Sequence, residues 1–390
     1  MSTELKVMSR GADAAFPREE YARRITNARR EIEIRGIDAL LVTGPENIFY
    51  LTGQQTPGYY SFQCLVLPVG AEPVLALRQL ESWNALLNSY IREIAPYPDG
   101  SRPAEVVLAL LDRMRLKGRR IGIEKGGWFV PIALYDELRA VLGEVKDGSG
   151  IVEGLRMIKS APELEAIEKA ARYCDAGMRA GLEQVHEGVS DNQIVARMMA
   201  ATVDAGSEYM GMEPFVPVGR HAGVPHATWR RRAVRRGDPV LLELAGVHER
   251  YHAALMRTAW AGKAPDQARR TMDACLEALD AALDAVKPGS SCETVHRACQ
   301  AVIDRRGFTA GFRKRTGYSI GIAFAPDWGE GNVLSLYEGV RVELRPGMVF
   351  HVPTTIRDYE SYTMGVSETV VVTRTGHRTL SAIDRALVEA

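Results

Sequence analysis

Glu243 has a residue type and a sequence setting that could support chemistry. It stands in the apolar run PVLLELAG, between Leu242 and Leu244. Alternation along a strand places its carboxylate on the face opposite the two leucines. A carboxylate there can attack an electrophilic carbon, or it can hold a cationic ligand by charge-assisted hydrogen bonds. The residues alone allow two settings equally, a reaction site or a solvent-facing surface.

His226 is the matching candidate for proton transfer. An imidazole has an ordinary pKa near 6.5, so it can take up and release a proton at neutral pH. Gly223 and Pro225 precede it in GVPHATW, where they could fix a turn that presents the ring. Trp229 follows closely and could stack on a planar cation. A hydrogen-bonded structural histidine and a packed core tryptophan are the alternatives.

The segment GYSIGIAFAPDWGEG, residues 317–331, groups more polar side chains in a glycine-rich stretch of irregular pattern. It contains Tyr318, Asp327 and Glu330. Loops held by a rigid scaffold often carry binding residues, and two acids beside aromatic rings suit a cationic or amidinium ligand. An ordinary turn with both acids in solvent is the alternative interpretation.

Two further candidates lie near the end of the chain. His351, in the strand-like MVFHV, could hydrogen-bond a substrate or be a satisfied core histidine. Glu368 could bind substrate, orient His226, or pair with a nearby arginine. Arg257 and His252 are expected to be structural partners within their own hairpin.

The composition describes an ordinary globular protein without an obvious macromolecular partner. Of 390 residues, 46% are hydrophobic and 25% charged, and 49 basic residues balance 49 acidic ones. This balance gives no electrostatic reason to expect nucleic acid or an anionic membrane as partner. No apolar run approaches the roughly 20 residues that span a bilayer. Five scattered cysteines without a C-x-x-C pair, and no secretory signal at the N-terminus, favour a cytoplasmic protein.

The order of elements indicates two domains. Helix and strand patterns alternate over about the first 150 residues, as in an α/β unit. Long helices grouped with hairpin strands follow, the α+β pattern. Ser160 is the predicted N-cap of the first long helix, with Glu163 as its capping-box partner, and Ser190 repeats the pattern. We expect domains at 1–155 and 156–390.

Several segments resemble one known family. RMIKSAPELEAI, GDPVLLELAGVHERYHAALMRT and LRPGMVFHV followed by SETVVVTRTG resemble the catalytic domain of the creatinase, prolidase and methionine aminopeptidase family. GIDALLVTGPENIFYLTG is similar to the N-domain of creatinases and prolidases. The resemblance implies an α/β creatinase-like N-terminal domain followed by an α+β "pita-bread" catalytic domain, in a homodimer.

The same resemblance draws attention to the N-domain segment QQTPGYYSFQC. In creatinase-like dimers an aromatic residue from this region of one subunit reaches toward the site of the partner. Tyr60 is the residue that we take as a candidate, beside Tyr59 and Phe62. Core packing is the alternative for each of them.

The metallopeptidases of this family place five metal ligands on this framework: two Asp, one His and two Glu. In this sequence the corresponding positions hold Glu243, Ala254, Tyr318, Pro353 and Ser367. Even with a one-residue slip to Glu368, at most two carboxylates remain. Divalent transition metals need several nitrogen or oxygen ligands converging at about 2 Å. The resemblance therefore implies a protein without a metal or other cofactor; creatinase is similar in lacking this set.

Within the family, GYSIGIAFAPDWGEG and MVFHV resemble the ectoine hydrolases, metal-free enzymes of the creatinase branch. We therefore predict a metal-independent C–N hydrolase that opens a small cyclic amidine or related amide. Its ligand is expected to be a cationic amidine or amide with a carboxylate. The predicted catalytic residues are Glu243 and His226, and the predicted substrate-binding residues are Tyr318, Asp327, Glu330, His351, Glu368, Trp229 and Tyr60. The alternatives are a metal-dependent Xaa-Pro dipeptidase or aminopeptidase, and a non-catalytic binding module of the same fold.

Overall fold

The structure, a computed structural model, describes residues 10–359 and 361–390. The chain divides into two compact units, Met1–Arg156 and Met157–Ala390. Within the described ranges, every helix is too short or too polar to cross a membrane.

The first unit is a mixed sheet of six strands with helices between them. The strand order is β4-β3-β2-β1-β5-β6; β2 runs antiparallel to its neighbours β1 and β3, and the other pairs are parallel. Side chains from β1, β2, β3 and β5 form its core with α4 and α5. In chain order the elements are α1 Arg18–Ile34, β1 Ala39–Val42, α2 Pro45–Thr52, β2 Cys64–Pro68, β3 Val74–Arg78, α3 Ser82–Asn88, β4 Glu93–Tyr97, α4 Pro103–Arg113, β5 Ile121–Ile123, α5 Ile132–Leu142, β6 Lys146–Asp147 and α6 Ile151–Arg156.

The second unit packs four long helices on two sheets. Its sheets have the strand orders β10-β9-β11-β12-β13 and β14-β8-β7. One core lies between α9, α10 and the larger sheet, and another between α7, α8 and the β7–β8 hairpin. In chain order the elements are α7 Ala161–Glu183, α8 Asp191–Asp204, β7 Pro239–His248, β8 Tyr251–Trp260, α9 Asp266–Ala285, α10 Cys292–Arg305, β9 Gly317–Ser319, β10 Ser335–Leu336, β11 Val349–Asp358, β12 Tyr362–Val372, β13 His377–Thr379 and β14 Val388–Glu389.

The starts of α7 and α8 are fixed by capping boxes, as the sequence predicts. The Glu163 carboxylate accepts a hydrogen bond from the backbone N–H of Ser160, at 2.9 Å. At α8 the Ser190 hydroxyl accepts from the backbone N–H of Gln193 at 3.2 Å, and the Gln193 side chain accepts from the N–H of Ser190 at 2.9 Å. These bonds satisfy backbone donors that the first turn of a helix leaves unpaired.

The β7–β8 hairpin sets the direction of Glu243. Leu242 and Leu244 are fully buried in the core against α7 and α8. Gly246 allows the close approach of β7 to α7, because a Cβ there would lie 2.0 Å from the carbonyl oxygen of Ala170. Strand alternation then turns Glu243 to the opposite face, and the sequence-based expectation for its side chain is confirmed.

The two sheets meet along β8 and β12. The Ser367 hydroxyl accepts a hydrogen bond from the backbone N–H of Met256 at 2.7 Å, and the Thr369 hydroxyl accepts from that of Ala254 at 3.1 Å. Side chains of β12 therefore complete part of the hydrogen bonding of β8, and they hold the hairpin against the larger sheet.

Candidate active site

A cavity of about 270 Å³ opens on the face of β7 that carries Glu243. Leu241 and Glu243 line it from β7, and Met256 lines it from β8. Pro353 and Arg357, which share one face of β11, line another side. This volume is just below the roughly 300–1,000 Å³ of sites for drug-sized ligands, so the cavity fits a small molecule.

The Glu243 carboxylate is buried and unpartnered. The side chain is 9% exposed, and no residue of the described chain donates a hydrogen bond to it. Burial raises the pKa of this carboxyl to about 7, while the positive charges of Lys314 and Arg357 act in the opposite direction. A buried carboxylate without partners is costly in a folded protein, which is typical of a group held for function.

His226 lies on the rim of the same cavity. Its φ of 54° is in the left-handed region, which few residues other than glycine adopt. The ring stacks on Phe215, with centroids 5.5 Å apart and planes 28° apart. Phe215 in turn exchanges two backbone hydrogen bonds with Glu243, at 2.8 and 2.9 Å. These contacts bring the two predicted catalytic residues to one cavity.

Tyr318 and His351 belong to a buried hydrogen-bonded chain. The Trp328 indole N–H donates to the Tyr318 hydroxyl at 2.9 Å. The Tyr318 hydroxyl lies 2.8 Å from His351 Nδ1, and His351 Nε2 lies 2.8 Å from the Ser367 hydroxyl. With the Tyr318 hydroxyl donating to Nδ1, the ring is neutral and Nε2 donates to Ser367. Burial lowers the pKa of His351 to about 3 and raises that of Tyr318, which fits this neutral arrangement.

Three basic side chains that the sequence pattern did not indicate also line the cavity: Lys314, Arg315 and Arg357. Burial lowers the pKa of Lys314 to about 8, and Glu243 opposes that change. A signal was available for Arg357. Pro353 stands at a family ligand position, and strand alternation puts Arg357 on the same face of β11.

Other predicted site residues lie outside the cavity lining. Glu330 is buried and forms an ion pair of 2.7 Å with Lys159, and its carboxylate also accepts from the Ser319 hydroxyl at 3.1 Å. Asp327 accepts a hydrogen bond from the backbone N–H of Gly329 at 3.0 Å, within its own turn. The structure therefore gives both acids structural partners within the protein.

Glu368, Trp229 and Tyr60 are also placed elsewhere. Glu368 pairs with Arg257 and Arg385, each at 3.0 Å, which is the arginine-paired alternative considered for it. Trp229 is partly buried against the core beside α7 and α8. Tyr60 belongs to the first unit, where its side chain is 78% exposed.

The residues at the family's metal-ligand positions do not fit a metal centre. Ala254 and Pro353 have no side-chain donor atom, and Tyr318 and Ser367 are both hydrogen-bonded to His351. Only Glu243 offers a free carboxylate, and the nearby basic side chains would repel a dication. No group of three or more His, Cys, Asp or Glu in residues 10–359 and 361–390 could hold an ion.

Comparison with known proteins identifies the family. The sequence matches metallopeptidase family M24 over residues 165–374 and the creatinase/prolidase N-terminal domain over residues 24–158. The chain belongs to metallopeptidase family M24. It is thus an M24-family hydrolase, and the predicted creatinase-like N-terminal domain with a pita-bread catalytic domain is confirmed.

Individual relatives of this M24 protein cover nearly its whole length. Ectoine hydrolase from Halomonas elongata is 31% identical over 393 residues, which cover 95% of this chain and 98% of that protein. The dipeptidase PepE from Mycobacterium ulcerans has a TM-score of 0.81 at 25% identity, over 96% of this chain and 98% of that one. The prolidase from Pyrococcus horikoshii has a TM-score of 0.83 at 22% identity, over 94% and 100%, and it shows the shared fold.

Proposed function

We propose that this M24 protein is a metal-independent hydrolase of non-peptide C–N bonds. Its substrate would be a small cyclic amidine or related amide, and ectoine is the first compound to test. The buried carboxylate of Glu243 carries this proposal, because it faces a small cavity and has no hydrogen-bond partner among the described residues. At the other four positions where the family's metallopeptidases have metal ligands, this chain has other residues. The similarity to an ectoine hydrolase supports it.

Glu243 and His226 can divide the reaction between them. In the covalent route, a Glu243 oxygen attacks the amidine carbon, and the C–N bond breaks as His226 gives a proton to the departing nitrogen. Water, deprotonated by His226, then attacks the acyl-type intermediate and releases Glu243. In the alternative route, the Glu243 carboxylate holds the amidinium while water attacks directly. Both routes add one water and yield an amide and an amine.

The neutral Trp328–Tyr318–His351–Ser367 chain would support this chemistry by position. Its hydrogen bonds fix the Tyr318 ring in the wall of the cavity that Glu243 also lines. A fixed polar wall costs no reorganisation during reaction, which is how preorganised groups stabilise developing charge. Tyr318 and His351 therefore remain in our proposed site, as a wall residue and its support.

The deciding experiment uses protein that has been stripped of metal with a chelator and then dialysed. It is incubated with ectoine, and ring-opened product, one water heavier, is sought by mass spectrometry. We expect turnover without added metal, and less than one metal ion per chain by elemental analysis of the purified protein before stripping. Absence of turnover, or turnover restored only by Mn²⁺ or Zn²⁺, would contradict the proposal. Hydrolysis of Xaa-Pro dipeptides that requires either metal would support the peptidase alternative.

We further propose a cytoplasmic homodimer in which Tyr60 of one subunit serves the partner's site. The exposure of the Tyr60 side chain, at 78%, and the five free cysteines, all buried, support these two points. Light scattering on the purified chain measures its mass in solution. A monomer at the enzyme's working concentration would remove the role of Tyr60.

A further inference from the structure

The charges around the cavity are unequal. Among its lining residues, Lys314, Arg315 and Arg357 are basic, and Glu243 is the acidic one. None of the three forms an ion pair with Glu243 in the described part of the chain. The cavity thus presents one carboxylate outside any ion pair of the described chain and an excess of positive charge.

Arg315 is already engaged by its surroundings. Its guanidinium donates to the Ser335 hydroxyl at 3.0 Å and to the Gly331 carbonyl at 3.4 Å, and it lies 4.7 Å from the centre of the Tyr318 ring. We therefore assign it to support of the cavity wall.

Arg357 and Lys314 each have hydrogen-bond donors that no described residue accepts. Arg357 donates from Nη1 to the Thr355 hydroxyl at 3.3 Å, while its Nε is buried and has no partner among the described residues. Lys314 donates to the carbonyl oxygen of Pro353, and an ammonium has three donors. That Nε–H has no surface that a ligand could reach, whereas the Nη2 group of Arg357 and the remaining N–H groups of Lys314 have no partner among the described residues and can donate to an anionic ligand in the cavity.

We infer that Arg357 and Lys314 form the carboxylate-binding end of the cavity, so that the substrate is a small molecule carrying a carboxylate near the bond that is cleaved. This inference deepens the proposed function and rests on it. The planar guanidinium of Arg357 matches a carboxylate. Glu243 would repel a dianion such as phosphate in the same small space. The site then complements a zwitterion, with Glu243 at the cationic end.

The test compares the binding of matched probes that differ only in this group. Ectoine and its carboxamide form one pair, and pyroglutamate and its carboxamide form a second; inorganic phosphate is a separate probe. Isothermal titration of the two pairs is done on the Glu243→Gln protein, in which turnover does not interfere, and phosphate is titrated into the wild-type protein, which keeps the Glu243 charge. We expect each carboxylate to bind about 10- to 100-fold more tightly than its carboxamide, the range for hydrogen bonds to charged groups.

Substitutions in the same background show whether the preference comes from these residues. Arg357→Gln and Lys314→Gln should each reduce the preference for a carboxylate over its carboxamide. Arg357→Lys should retain part of this preference, and it controls for loss of folding. Arg313→Gln is the matched control, because Arg313 is adjacent in sequence, exposed and outside the cavity lining. It should leave the preference unchanged.

The outcomes separate this inference from the proposed function. A preference for pyroglutamate over its carboxamide, together with no hydrolysis of ectoine by the wild-type protein, would retain the carboxylate site and remove ectoine as substrate. Equal affinity within both pairs, no binding of any carboxylate, or a preference that survives Arg357→Gln and Lys314→Gln would overturn the inference, even if ectoine is hydrolysed. Tighter binding of phosphate to the wild-type protein than of any carboxylate to the Glu243→Gln protein would overturn it as well.

Discussion

The ionisation of Glu243 should set how activity depends on pH. Burial raises its pKa to about 7, and the charges of Lys314 and Arg357 oppose that rise. The proposed reaction needs the carboxylate, so kcat/KM should fall about tenfold for each pH unit below 7. Rates with ectoine between pH 5 and 8 measure this. A profile that stays flat down to pH 5 would contradict the role of Glu243.

The same group should affect stability in the opposite direction. Between the ordinary glutamate pKa of 4.5, which applies to the unfolded chain, and about 7, folded Glu243 holds a proton that the unfolded chain has lost. Its contribution to the free energy of unfolding therefore decreases as pH rises through this window. Urea unfolding of the wild type and of Glu243→Gln across the window checks this sign, because the substituted chain lacks the titrating group.

Substitution of Glu243 tests its role in turnover directly. Glu243→Gln keeps the shape of the side chain and removes the charge, so we expect kcat to fall by about 10³-fold or more. The variant should fold normally, because an amide avoids the cost of burying a charge. Glu213→Gln is the matched control, since Glu213 is an exposed glutamate nearby in the chain, and it should keep the full rate. A fully active Glu243→Gln protein would end the proposal.

For single residues, the sequence predicts the direction in which a side chain points better than the residues with which it interacts. Alternation in PVLLELAG was enough to put Glu243 opposite its leucines. The environment of Glu330 was not predictable in the same way, because Lys159 lies 171 residues away in the chain. The missed cations Lys314 and Arg357 illustrate the same limit: their common cavity exists only once β11 lies beside the β7–β8 hairpin.

At the scale of elements, local signals located the helix starts accurately. Both capping boxes were predicted because the cap and its partner are three residues apart, and nothing distant in the chain is needed to form them. Strand pairing required more. Tyr318 stands opposite His351 in the β9–β11 pair, and no local pattern states that register. The hydrogen-bonded chain in the cavity wall therefore could not be predicted from the sequence, and only the structure shows it.

The cap of α8 gives a prediction about stability without function. Ser190→Ala removes the bond from the Gln193 backbone N–H and should lower the free energy of unfolding by about 1 kcal/mol. Ser190→Asp should restore it, because aspartate caps a helix equally well. Urea denaturation measures both, and kcat/KM should be unchanged because Ser190 is not among the cavity lining. Equal stability of the alanine variant and the wild type would show that the cap is redundant.

At the scale of the molecule, the family resemblance predicted the architecture of the two domains, which composition could not. Length and patterning indicate two domains, α/β and then α+β, but they do not give the strand orders within each sheet. Non-local pairing determines those orders, as where β1 lies between β2 and β5. The sequence match over residues 24–158 and 165–374 supplied the architecture, because relatives share the pairing that a single chain does not display.

The buried pair of Lys159 and Glu330 gives a prediction for the folding of the whole second unit. Both side chains are 1% exposed, and the pair joins the start of this unit to the loop after β9. Lys159→Met leaves a buried carboxylate without its cation, so we expect a loss of about 3–5 kcal/mol in the free energy of unfolding. Lys159→Met with Glu330→Gln should recover much of that loss, because no unpaired charge remains. Lys169→Met removes the cation of an exposed pair with Glu165 and should change little. If the single and double variants unfold at the same urea concentration, the cost lies in packing around Lys159 rather than in the stranded charge.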